Sequence, residues 1–167
     1  MQAHKISLKL YARGPLPASH ATTAVLHRWI KGHALDELLV DVVDYGHVHQ
    51  GPSVLLVGHE ADYALDLGEG RPGLFMLVKR GASATGEVDF GARLEAAARR
   101  LLDVAARLEA EPTLEGLGFG TGEVLARVHD RQHAPNTEAT FAATREAFST
   151  LAGRLWGEGA SVTHEPG

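Results

Sequence analysis

Between Leu38 and Arg80 the chain carries apolar runs separated by turn residues. Leu38 to Val43 is apolar on both faces of a pleat except at Asp41, and Val54 to Val57 has no polar side chain, the pattern of strands central to a sheet. Tyr63, Leu65 and Leu67 alternate with Ala64 and Asp66, which gives a strand one wetter face. Leu74 to Val78 is apolar again. The intervening Gln50–Ser53, Gly58–Asp62 and Gly68–Gly73 are rich in turn-forming residues. Connections this short cannot make parallel crossovers, so the stretch predicts an antiparallel meander of about four strands.

Upstream, Lys5 to Tyr11 alternates strictly and predicts a half-buried strand with Ile6, Leu8 and Leu10 inward. Gly14, Pro15 and Pro17 break it. A first helix follows over 19–31, with Thr22, Val25, Leu26, Trp29 and Ile30 on one stripe and Gly32 as its stop. Downstream, Gly81 to Asp89 reads as a polar surface connection. A second helix over 89–110 repeats apolar residues at three and four positions from Phe90 to Leu108, and Pro112 ends it. Glycine at positions 116, 118, 120 and 122 reads as a loop, and Val124 to His129 as a strand. Asn136 or Thr137 caps a third helix that runs to about Trp156 and buries Phe141, Thr144, Phe148, Leu151, Ala152 and Leu155. Ala160 to His164 adds a short last strand.

The order is β-α-β-β-β-β-α-β-α-β. It predicts a single α+β domain over 1–167: a mixed, mostly antiparallel sheet of about six or seven strands, with three helices packed mainly on one face.

Composition narrows the function classes. The net charge is −5 with histidine neutral, and no Lys/Arg run is present, which argues against non-specific nucleic-acid binding. The absence of cysteine removes disulfides, zinc-thiolate sites, iron–sulfur clusters and cysteine nucleophiles. No apolar run approaches membrane-spanning length, and the N-terminus lacks a signal-peptide centre, so the expected location is cytoplasmic. Histidine, at ten residues, is the unusual feature.

Four arrangements carry candidate chemistry. His47 and His49 flank Val48, and in an extended strand both imidazoles leave one face, where they can share a divalent transition metal. The plain alternative is two solvated histidines near a hairpin tip. A hairpin turning at Gly51–Pro52 would bring His59 opposite or diagonal to Asp44, Glu60 near Val43 and Asp41 close to Asp62. A carboxylate beside an imidazole orients its tautomer and serves a metal or general-base role; the plain alternative is a cross-strand pair that stabilises the turn. Arg127, His129 and Arg131 share a face if extended and, beside the third helix's N-terminus, form a candidate anion or carboxylate site. The alternating glycines follow a helix and precede a strand, the reverse of a dinucleotide-binding fingerprint.

The leading expectation is thus a His-rich domain binding a divalent metal or small ligand at the Asp44/His47/His49/His59/Glu60 end of the meander. Any enzymatic role would be metal- or His-dependent hydrolysis or isomerisation. The rivals are a non-catalytic interaction or assembly domain forming a homodimer, and an anion-binding module.

Overall fold

A computed structural model describes residues 5–79, 89–132 and 134–165. The predicted connection at 81–89 therefore lies, up to residue 88, outside the described residues, as do His4 and His133. Six strands form one sheet: β1 (Ile6–Ala12), β2 (Leu39–Asp44), β3 (Pro52–Gly58), β4 (Ala61–Asp66), β5 (Gly73–Val78) and β6 (Phe119–Val128). Three helices accompany them: α1 (Ser19–Gly32), α2 (Phe90–Glu109) and α3 (Glu138–Trp156). The α+β class and the four-strand meander stand as expected from the sequence. The sheet order is β2-β3-β4-β5-β1-β6, and every pairing is antiparallel.

This order makes β1 an interior strand. After β1 the chain crosses the sheet through α1 to reach the β2 edge, meanders back to β5, and crosses β1 through α2 to reach β6. The alternation in β1 sends Ile6, Leu8 and Leu10 to one face, in register with Val78, Met76 and Leu74 of β5 and Val128, Ala126 and Val124 of β6. Val25, Leu26 and Trp29 of α1 and Leu94, Ala98 and Leu101 of α2 close the core on that face. Helix α1 packs on β2 and β3, α2 packs on β1 and β5, and α3 packs on α2. The helix ends follow local chemistry. The Asp89 carboxylate accepts from Gly91 N at 3.0 Å, and Thr137 Oγ1 from Thr140 N at 3.3 Å, each supplying an acceptor to an otherwise orphaned N–H.

Three expectations change. First, Phe119 to Gly122 is strand rather than loop. Between the Leu10–Val124 and Ala12–Phe119 pairs, β1 spends one residue and β6 spends four, and the glycines let β6 make that irregular turn of register. Second, α1 does end at Gly32, but the left-handed cap beyond it is His33, at φ 50° and ψ 51°, rather than the glycine. Third, 160–164 pairs with no strand among the described residues. It runs back beside α3 instead, with the His164 ring stacked on Phe141 at 4.9 Å. Among the described residues no helix is long and apolar enough to cross a membrane.

Candidate functional site

The second sheet face carries Val43, Leu55, Val57, Phe75, Leu77 and Leu125 together with Ser7, Lys9, Tyr11, Asp62, Ala64, Asp66 and Arg127. Both α1 and α2 pack on the opposite face, so this one has no helix over it among the described residues. Its apolar side chains are half-buried. Among the described residues, the strands that read as apolar on both faces therefore have one face covered by helices and one without them.

A cleft of about 280 Å³ opens on this face, lined by Lys9, Pro52, Leu55, Ala64, Asp66, Gly68, Glu69, Phe75 and Arg127. Its floor is apolar, from Leu55, Ala64 and Phe75. Lys9 forms a wall, and its side chain is 2% exposed. The ammonium donates to Asp66 Oδ2 at 2.5 Å and to the Gly68 carbonyl at 3.0 Å. Asp66 Oδ2 also accepts from Gly68 N at 3.1 Å, so the turn after β4 clamps the pair. An ammonium has three N–H groups. Two of Lys9's go to these acceptors, and the ammonium also lies 6.0 Å from the centre of the Tyr11 ring. At the mouth, Arg127 and Glu69 form an ion pair with side chains 41% and 44% exposed. Glu69 has φ 64° and ψ 18°, a left-handed conformation that costs an L-residue about 1–2 kcal/mol. Two cations and two carboxylates leave the cleft electrically balanced.

Beside the cleft, Ser7 Oγ and His129 Nε2 share a 2.7 Å hydrogen bond. Burial, then the Lys5 and Arg127 charges, hold the His129 imidazole below its ordinary pKa. Ser7 is buried, so the pair fastens the start of β1 to the end of β6 rather than presenting a nucleophile. The pKa shift has a sign that can be measured. The unfolded chain takes up a proton before the native ring does, so this contribution to stability is complete above about pH 6.5 and is lost as pH falls through the window beneath. Thermal melts from about pH 7 to 5.5 are expected to show a falling midpoint, with a shallower fall in His129→Gln. An equal slope in that variant would remove His129 from the account.

A second polar cluster lies on the helix-covered side. Glu37, between α1 and β2, is 2% exposed. Its Oε2 accepts from Glu60 N at 2.7 Å and Ala61 N at 3.1 Å. Its Oε1 accepts from the Tyr63 hydroxyl and, at 3.5 Å, from Arg100 Nη1 of α2. Arg100 also binds Glu60 Oε2 at 2.5 Å. Burial, reinforced by the bond to Glu37, pushes the Tyr63 phenol far above its ordinary pKa, so it stays a donor. The cluster satisfies the β3–β4 turn and ties it to α2. It is structural.

The residues singled out in the sequence do not gather as expected. The β2–β3 connection occupies the seven residues 45–51, not a tight turn at Gly51–Pro52. It pairs Asp44 with Val54 and Asp41 with Val57. Asp44, His47 and His49 thus lie at one end of the hairpin, and His59 and Glu60 at the other. Asp44 Oδ1 accepts from Gly46 N at 2.8 Å, and that bond leads the interactions holding its carboxyl below the ordinary value. His47, His49 and His59 are exposed. Asp41 and Asp62 both pair with Val57, one on either side of β3, so they share the open face with a strand between them rather than pairing with each other. Asp41 accepts from Val42 N, and Asp62 binds Lys79 Nζ at 2.8 Å. Among the described residues no group of three or more His, Asp or Glu is arranged to hold a metal ion. Arg127 and His129 share the open face as expected, but each has its own partner, and Arg131 is exposed in the turn beyond.

Lys9, Asp66 and Glu69 were not singled out by sequence. A lysine in an alternating strand reads as solvent-facing until β1 is known to lie inside the sheet. A second cleft of about 190 Å³, between Leu8, Leu10, Leu101 and Trp156, contains no charged side chain. Comparison of the chain with protein-family models, with curated proteins and with solved structures finds no match.

Proposed function

We propose that this chain is a small-ligand-binding domain whose site is the cleft on the open sheet face, taking a molecule with an apolar body and one polar end. The observation that carries the reading is Lys9: a buried ammonium, held by Asp66 and Gly68, in the wall of a cleft with an apolar floor. Ligand sites combine mostly apolar linings with a few placed polar groups, and the cleft volume falls just below their usual range of about 300–1,000 Å³, which suits a small molecule. The open apolar face supports the same reading, since a bound molecule would cover surface that α1 and α2 leave bare. No reaction is assigned. Asp66 and Glu69 are each engaged by a cation, and Ser7 is bonded to His129 and does not line the cleft.

The test uses three six-carbon probes that differ in their polar end: hexanoate, hexanamide and hexylamine. Amide ¹H–¹⁵N shift mapping is expected to show changes centred on Leu55, Ala64 and Phe75. Ala64→Leu, which fills the floor with apolar atoms, is expected to abolish them while the melting transition stays cooperative. If none of the three probes moves those resonances, the cleft is not a binding site.

A further inference from the structure

We infer that the cleft is shaped for a monocarboxylate, and that the Glu69 side chain occupies the carboxylate position when no ligand is bound. This rests on the cleft being a ligand site. Glu69 stands between Gly68 and Gly70 in a left-handed conformation that glycine would adopt freely. That bend brings its carboxylate over the cleft mouth onto Arg127. Strain of this kind persists where the surrounding structure enforces it, and it concentrates at ligand clamps.

The two ion pairs of the cleft differ in how firmly they are held. Lys9–Asp66 is buried and clamped by both the N–H and the carbonyl of Gly68. Arg127–Glu69 is half-exposed on both sides, and such pairs are weak and exchange with solvent. The outer pair is therefore the one a guest can open. A guest carboxylate can take the Arg127 guanidinium side-on with two parallel hydrogen bonds. Lys9 is the diagonal neighbour of Arg127 across the β1–β6 pairing and lines the same cleft, so its positive charge adds to that of Arg127. The guest's apolar part then lies over Leu55, Ala64 and Phe75. Glu69 swinging out as a monoanion enters keeps the cleft neutral; a dianion such as a phosphate monoester would not.

Calorimetric titration of the whole chain tests this with the same probes. Hexanoate is expected to bind about tenfold tighter than hexanamide, the scale of a hydrogen bond to a charged group. Glu69→Gln, which removes the competing charge, is expected to raise the preference for hexanoate about two- to fivefold, the scale of an exposed ion pair. Arg127→Ala is expected to weaken hexanoate about tenfold, and Glu69→Gln added to it should bring no further gain, because Glu69 acts through Arg127. Equal binding of hexanoate and hexanamide, or weaker hexanoate binding in Glu69→Gln, would overturn the carboxylate assignment while leaving the cleft as a site. Failure of all three probes would overturn both.

Discussion

Glu37→Ala is expected to lower the unfolding free energy by about 3–5 kcal/mol, the largest loss from any single substitution considered for this chain. The carboxylate is nearly fully buried and accepts from two backbone N–H groups, a phenol and a guanidinium. Removing it leaves Glu60 N, Ala61 N and the Tyr63 hydroxyl without their acceptor, and each buried unsatisfied donor costs about 1–3 kcal/mol. The site has no slack for repacking. A Cβ on Gly58 would lie 2.5 Å from both Glu37 Oε2 and the Ala61 carbonyl, so the backbone already closes against the carboxylate. Urea titration with an unchanged m-value checks the loss. Tyr63→Phe, which removes one donor and leaves the acceptor served by three others, is expected to cost about 1 kcal/mol. A Glu37→Ala loss below that of Tyr63→Phe would mean that the cluster does not hold the β3–β4 turn.

Lys9→Met is expected to destabilise by about 3 kcal/mol, and Lys9→Met combined with Asp66→Asn to recover most of that loss. Methionine replaces the apolar stem of lysine at similar volume, so the single substitution chiefly removes the ammonium. Asp66 is then a carboxylate at 15% exposure whose remaining donor is Gly68 N. Breaking one side of a buried pair is expensive, whereas replacing both sides is often neutral. Asparagine keeps an oxygen for Gly68 N while removing the charge. The cycle of four proteins, measured by urea titration, should give a coupling of about 1–3 kcal/mol. Additive losses would mean that the pair is held by the fold rather than contributing to it. The double variant also separates two roles of Lys9, since it should fold well and still bind hexanoate more weakly.

The sequence made the local features legible and hid the long-range ones. Val54–Val57 and Leu74–Val78 announce strands because apolar runs between turn residues have few other structures available. Thr137 announces a helix start because its hydroxyl meets an N–H three residues on. Register is hidden because a glycine–proline pair looks like a tight turn. The Val48 N–H bond to the Tyr45 carbonyl and the Tyr45 N–H bond to Ser53 instead place the turn before it. A shift of that size carries His59 from Asp44 to the neighbourhood of Leu38, whose carbonyl accepts its N–H at 2.8 Å. Lys9 is hidden for a related reason. Strand alternation tells which face a side chain leaves, but not whether neighbouring strands wall it in, and that depends on β1 lying between β5 and β6. Glu37 sits in a connection, where no periodicity marks a buried carboxylate.

The β2 edge bears on how copies of this chain behave when crowded. Edge strands with free N–H and C=O groups template fibrils and runaway polymerisation. Here exposed Leu38 and Val40 would favour that outcome. The pairing of β2 with β3 is irregular between Leu39 and Asp41, which breaks the straight run a foreign strand would need. Tyr45 N points to β3, so by alternation Val42 N points to the free side, where the Asp41 carboxylate caps it at 2.8 Å. A kink and a self-capped donor thus guard an apolar edge against growth from one molecule to the next.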